Sequence, residues 1–197
     1  MPTGKDLGRR GRGPTDPARR KKIAEAAIAV VAERGVEGVT HRAVAAAAGV
    51  PLGSTTYHFA TLDDLLVVAL RTAAEDSVAR LRDWDRALPA GADLAAALAD
   101  LVVSGLAEDR ARTVVEYELY VAALHRAPLR SPGMAWDDAL VELFASRTDA
   151  VTGRLLAAAY CGLLMQALLA DPPPTRAEVE AMFRLALRGT ARPGSSS

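Results

Sequence analysis

An all-α fold of about nine helices is what this sequence predicts, and three observations carry that prediction. Half of the 197 residues are apolar, and they are chiefly Ala, Leu and Val in long stretches without strand-like patterning. Aromatic residues make up only 5 %, and β-branched residues rarely alternate with polar ones as a half-buried strand requires. Helix start and stop signals recur along the chain, with Asp or Thr ahead of apolar-periodic runs and Gly or Pro after them.

Taken in order, Asp16 followed by Pro17 is an N-cap with proline at the first helical position, and the run to Arg34 places Ile23, Ala27, Val30 and Val31 on one face. Gly35 stops this helix, predicted at 17–34. Thr40 caps a short second helix, HRAVAAAA, which faces Val44 and Ala48 inward and ends at Gly49. A third short helix, PLGSTTYHF, follows, and a Thr61-to-Asp64 capping box opens a long fourth one. In that fourth helix Leu65, Val68, Ala69, Thr72 and Leu81 are expected to form the buried stripe. Further helices are expected at 93–107, 111–126, 133–146, 149–170 and 175–188, with Pro128 and Pro132 falling between two of them and DPPPT preceding the last. The Gly/Arg/Pro-rich start (1–15) and the end (191–197) have too little to bury and read as disordered.

The formal net charge is zero, but it is unevenly spread: residues 1–60 hold ten Lys/Arg against five Asp/Glu, and the remainder holds 14 against 19. The N-terminal end therefore suits a polyanion. A lone cysteine, Cys161, precludes an intramolecular disulfide and any Cys/His zinc set, and fits a reducing cytoplasmic compartment. The basic start has no apolar run behind it, so it is not a secretory signal. Residues 155–170, the most apolar stretch, are shorter than the ~18 residues of a membrane span and read as a buried helix. Three histidines, no Gly-rich phosphate loop, no nucleophile elbow and no carboxylate cluster at metal-binding spacing argue against an enzyme, so neither catalytic residues, metal nor cofactor are expected.

Two short helices joined by a tight glycine turn, the second polar at its start, form a helix-turn-helix, whose second helix enters the DNA major groove. Ser54, Thr55, Thr56 and Tyr57 offer hydroxyls to phosphates and base edges, and Gly53 leaves room for close approach. Arg42 has the reach to pair bidentately with a guanine, while Tyr57 and His58 are suited to phosphates. Arg9, Arg10 and Arg12 of the arm are candidates for a neighbouring minor groove.

The stretch VTHRAVAAAAGVPLGSTTYHFATLDDLL resembles the DNA-binding signature of the tetracycline-repressor (TetR/AcrR) family, with Thr40, Arg42, Val44, Ala45, Ala48, Gly49, Val50, Gly53, His58, Phe59, Thr61 and Leu65 in register. VEYELYVAALHRAPLR is similar to the start of the regulatory domain in part of that family. The resemblance implies a homodimer with a helix-turn-helix on each subunit, a double-stranded DNA operator, and a C-terminal helical domain whose small-molecule effector releases the operator. Carried over by position, DNA contacts fall to Thr40, Arg42, Leu52, Gly53, Ser54 and Thr56, with Tyr57 and His58 on phosphate. Two departures stand out: Thr56 replaces the usual tyrosine, and Leu62 the usual lysine at the start of the fourth helix. They leave a helical interaction module with a weakened DNA-binding half as the alternative reading, and shift phosphate binding toward the arm and the positive end of the fourth helix.

The expected organisation is therefore a basic arm (1–15), a DNA-binding domain (16–60), a regulatory and dimerisation domain (61–190) and a tail (191–197). Trp84, Glu116, Tyr117, Tyr120, Trp136, Phe144 and Met165 are the side chains available to line an effector pocket. Glu116 and Glu118 lie about 200° apart on a helix otherwise apolar, so at least one must be buried or at an edge, and a buried carboxylate needs a partner. Gly153, Ala157, Gly162 and Leu163, with Phe183 of the last helix, are the expected dimer interface.

Overall fold

In a computed structural model the chain is described over residues 16–188, apart from the Glu108 side chain. Arg9, Arg10 and Arg12 of the arm, and the tail at 191–197, lie outside the described residues. The elements are α1 (Pro17–Arg34), a 3-10 turn (Val36–Gly38), α2 (His41–Ala48), α3 (Leu52–His58), α4 (Leu62–Ala87), α5 (Leu94–Ala122), α6 (Ala127–Ala145), α7 (Ala150–Leu169) and α8 (Arg176–Arg188). The fold is all-α, as the composition and punctuation require.

Local signals account for most helix ends. The Asp16 carboxylate accepts from the Ala18 and Arg19 N–H groups at 3.1 and 3.2 Å, Thr40 caps α2, and Thr61 and Asp64 close a reciprocal capping box at the start of α4.

The segments expected at 93–107 and 111–126 are the two helical stretches of α5, which meet at a kink at Asp109 (φ −148°, ψ 34°), within the gap expected between them; no Gly or Pro stands there to open a longer loop. One boundary differs from the sequence expectation. Pro128 and Pro132 lie within α6 rather than between helices. Pro128 occupies the first turn, where its missing N–H costs nothing, whereas Pro132 sits in the interior, buried, on a groove shared with Ala74 and Val78 of α4. At the adjoining Gly133 a Cβ would lie 3.8 Å from Tyr120 and Ala123, so packing has overridden the helix-breaking tendency.

The first core joins Ile23, Val31, Val44 and Phe59 of the N-terminal helices to Leu65, Leu66 and Leu70 of α4, and is completed by Val115 and Leu119 of α5 and Leu129 of α6. A second core joins Leu81 to Leu98, Val102, Phe144, Leu156 and Phe183. Each such Leu or Phe contributes about 1.5–3 kcal/mol by leaving water. On α4 the buried arc takes in Leu66, Leu70 and Ala73, while Val68 and Thr72 of the expected stripe are only half-buried, because α1 and α6 pack on α4 from different sides.

By length and composition α7 would pass for a membrane span; in the fold it lies against α5, α6 and α8. Its crossing with α6 is set by Gly153, where a Cβ would stand 2.6–2.7 Å from the Ala145 backbone. Gly153→Ala is therefore expected to cost about 1–3 kcal/mol through forced separation of α6 and α7. Thermal unfolding checks this as a lowered midpoint, about 2–4 °C per kcal/mol.

Candidate nucleic-acid interface and enclosed cavity

The turn between α2 and α3 is built from backbone hydrogen bonds. Gly49 takes the left-handed conformation (φ 60°), its N–H reaches the Ala46 carbonyl at 3.1 Å, and the Val50 N–H reaches that of Ala45 at 3.0 Å. Thr55 is fully buried, and its hydroxyl donates to the Leu52 carbonyl at 2.8 Å and to that of His41 at 3.5 Å. This corrects the expectation that Thr55 offers its hydroxyl to DNA: it ties α3 to the start of α2 instead.

What remains outside is a row of side chains on one face. Arg42, Leu52, Gly53, Thr56 and Tyr57 are exposed, and Ser54 and His58 are half-buried. A Cβ at Gly53 would meet no atom within 4 Å, so nothing inside the subunit requires a glycine there. Thr40 is exposed as well, though its hydroxyl already accepts from the Ala43 N–H at 3.1 Å. The Thr56 hydroxyl turns back to the Gly53 carbonyl at 3.3 Å. The Tyr57 ring meets His58 edge-on at 5.2 Å, and Arg20 of α1 fixes the exit of α3 by donating to the His58 carbonyl at 3.0 Å while lying 4.5 Å over the Phe59 ring.

Leu62, the departure at the start of α4, packs against the first core. Beside it Asp63 and Asp64 occupy the first turn, and Asp64 accepts from the Thr61 N–H at 2.9 Å. These carboxylates make that helix end a poor site for phosphate, against the sequence expectation.

A cavity of about 120 Å³ lies among α4, α5, α6 and α7. Of the expected pocket residues, Glu116, Tyr117, Tyr120, Trp136 and Met165 line it. Trp84 and Phe144 do not: both belong to the second core, where Phe144 stacks edge-on with Tyr160 at 5.8 Å. Ser77, Asp137, Tyr160, Cys161 and Gly162 complete the walls and were missed. The Cys161-to-Met165 spacing of one helical turn was a usable signal; nothing distinguished Asp137 from its neighbour Asp138.

Glu116 is buried and pairs with Arg80 of α4, which is the arginine its burial demanded. Desolvation raises its pKa, and Arg80, Arg112 and the Ser77 hydroxyl oppose that rise. Burial likewise raises the Tyr117 hydroxyl, which donates to the Cys161 carbonyl at 2.6 Å. Tyr120 is pushed up to about 12 by desolvation and by the Asp137 carboxylate, to which its hydroxyl donates at 2.8 Å. The Trp136 indole N–H is buried with no acceptor among the described groups.

On the side of α5 away from the cavity, the Glu118 carboxylate accepts from the Val36 N–H at 3.1 Å. Gly35 (φ 71°) lets the chain turn there, and a Cβ would stand 3.3 Å from that carboxylate. Arg126, at the head of α6, pairs with Asp63 at 2.8 Å and with Glu37 at 3.3 Å. The helices that carry the cavity walls are thus tied to the 3-10 turn ahead of α2 and to the start of α4.

The expected dimer residues are interior instead. Gly153, Ala157, Leu163 and Phe183 are buried within the subunit, and Gly162 lines the cavity. The apolar side chains that α7 and α8 turn outward are Val151, Leu155, Leu169, Met182 and Leu185.

A bare helix-turn-helix face joined to a helical domain with an aromatic cavity defines a transcriptional regulator of the helix-turn-helix class. Residues 23–69 match the family of bacterial regulatory proteins named tetR, and residues 89–189 match the tetracyclin repressor-like C-terminal domain. The multidrug binding protein EbrR, in its complex with imidazole, is 44 % identical over 92 % of this chain and 100 % of its own, with a TM-score of 0.80. A TetR-family structure from Streptomyces coelicolor A3, SCO1917, is 46 % identical over 86 % of this chain and 98 % of its own, with a TM-score of 0.75. The regulator PksA of Bacillus subtilis (strain 168) is 43 % identical over 65 residues, which is 33 % of this chain and 32 % of that protein, so the likeness spans about a third of each. The chain belongs to the tetR family of transcriptional regulators, which are DNA-binding proteins and not enzymes.

The Cys161 thiol is pushed up to about 11, by burial first and by the Asp137 charge second. Native Cys161 is therefore expected to react with a disulfide reagent near pH 8 about 100-fold more slowly than in the unfolded chain. Absorbance of the released thiolate, with and without denaturant, measures this.

Proposed function

We propose that the protein is a cytoplasmic, homodimeric repressor that binds a pseudopalindromic operator and leaves it when a small molecule enters the cavity. The observation that carries the reading is the bare α2–α3 face, where Arg42, Leu52, Gly53 and Thr56 are exposed around a position at which a side chain would touch nothing of the subunit. Arg42 reads a base, Leu52, Gly53, Ser54 and Thr56 approach the groove, and Thr40, Tyr57 and His58 hold phosphate; Arg9, Arg10 and Arg12 add charge from the arm. Leu62 gives no support to a weakened DNA-binding half, since its packing in the first core accounts for it.

Dimerisation is supported by α7, which is largely apolar, with Arg154 and Gln166 as its exposed polar side chains, and turns Val151 (76 % exposed), Leu155 and Leu169 outward, as α8 does Met182 and Leu185. Exposed apolar side chains on both helices call for a cover, and a second copy laying its own α7 and α8 on this face supplies one. Two subunits would set recognition helices ~34 Å apart, one turn of DNA. For the effector, EbrR is recorded in complexes with ethidium, proflavin and malachite green, and the tyrosine- and tryptophan-lined cavity here suits flat aromatic molecules of that kind.

Selection of duplexes from a random DNA pool by the purified protein tests the reading. Enrichment of a palindrome with half-sites one turn apart is expected; no enrichment by a folded dimer overturns it. On the enriched duplex, Arg42→Ala is expected to relax preference at one base pair per half-site, worth about 1–3 kcal/mol, whereas Tyr57→Phe weakens all sequences alike. Leu185→Glu is expected to yield a folded monomer in sedimentation velocity, with helix content unchanged by circular dichroism.

A further inference from the structure

The cavity holds two carboxylates, and their surroundings differ. Glu116 pairs with Arg80, accepts from the Ser77 hydroxyl and feels the charge of Arg112. Asp137 has the Tyr120 hydroxyl at 2.8 Å as its hydrogen-bond partner, and among the described residues it forms no ion pair with Arg, Lys or His. Its negative charge is felt by the neighbouring groups, raising both the Tyr120 hydroxyl and the Cys161 thiol. Around it stand the rings of Tyr117, Tyr120, Trp136 and Tyr160. A half-buried anion without a counter-cation, walled by aromatic faces, is the electrostatic complement of an organic cation.

We infer that Asp137 is the charge-selecting residue of the cavity, pairing with the single positive charge of a flat aromatic cation that lies among these rings, while Glu116, already matched by Arg80, takes no part in the selection. The inference rests on the reading of this cavity as the effector site. Tyr120 acts as a positioning residue: its hydroxyl stays protonated at neutral pH and holds the Asp137 carboxylate by donating to one of its oxygens. An aromatic molecule of the same outline without the charge would keep the stacking and lose the pairing.

Fluorescence titration of the full-length protein with 9-aminoacridine, cationic at neutral pH, and with acridine, neutral there, tests the assignment. The wild type is expected to prefer 9-aminoacridine by about 30-fold or more, from one half-buried charge pair. Asp137→Asn and Asp137→Ser should each remove most of that preference while leaving acridine affinity within about threefold; Asp137→Glu should retain it, and so should Asp138→Asn, at an exposed carboxylate outside the cavity wall. Thermal midpoints confirm that each variant is folded. Equal loss of both dyes in the Asp137 variants, an undiminished preference in them, or loss of the preference in Asp138→Asn instead would overturn the assignment. Wild-type protein that binds both dyes equally would overturn it too, while leaving the cavity reading in place. Binding of neither dye by the wild type would overturn the cavity reading itself.

Discussion

The continuity of α4 is the constraint on which the rest of the structure depends. One helix of 26 residues begins in the DNA-binding core, with Leu65, Leu66, Ala69 and Leu70, and continues past the cavity, where Ser77 forms part of the wall and Arg80 grips Glu116. At 1.5 Å per residue, Leu65 and Ser77 are about 18 Å apart along one rod. No Pro or Gly interrupts it, so a displacement at Ser77 is also a displacement at Leu65. The capping box at Thr61 and Asp64 ties down the first turn of this rod, the end nearest the helix-turn-helix.

A second connection runs through α5. Glu116 and Glu118 point to nearly opposite sides of that helix: Glu116 closes on Arg80 toward the cavity, and Glu118 holds the Val36 N–H on the DNA-binding side. The Glu116 carboxylate is buried, so its pair with Arg80 is not the weak ion pair of an open surface, and Glu118, half-buried, holds a backbone N–H instead. Removing a ligand for either would strand a polar group, which makes each arrangement discrete rather than graded. Under the proposed effector response, a molecule among Tyr117 and Tyr120 would act on the same helix that carries Glu118, and a differential affinity of a few kcal/mol would suffice to bias one arrangement over another.

How much of this the sequence could disclose followed from how local each determinant is. Caps, the Gly49 turn and the spacing of Arg42, Gly53 and Leu65 are fixed within a few residues, and the helix-turn-helix was legible from them. Thr55 was misread because its burial depends on the His41 carbonyl, 14 residues away. Pro132 lies inside α6 because that stretch is held by tertiary packing, Pro132 itself being buried and the adjoining Gly133 seated on Tyr120 and Ala123 of the end of α5, which no local signal discloses. In the Ala-rich α7 apolar residues stand on every face, so periodicity could not tell the buried Gly153, Ala157 and Leu163 from the exposed Val151 and Leu155. Trp84 and Phe144 were chosen for size, and size does not separate core from cavity wall. Asp137 escaped notice since an aspartate on a helix with a second aspartate beside it reads as solvated surface.

That same α7 joins the two regulatory properties that sequence left apart. Cys161, Gly162 and Met165 line the cavity, while Val151, Leu155 and Leu169 form the outward face proposed to meet a second subunit. Interiors at this density are poorly compressible, so a molecule that pushes on Cys161 or Gly162 must be accommodated by moving α7 or the helices across from it. With Gly153 seated against the Ala145 backbone, the N-terminal part of α7 has little freedom relative to α6. Its C-terminal half borders a groove that shares Tyr117 and Met165 with the cavity and extends to Val36 of the DNA-binding end. The cavity, the outward apolar side chains of α7 and α8 and the core beneath the helix-turn-helix are thus parts of one body of packed helices, and this is the physical basis on which the proposed effector response would act.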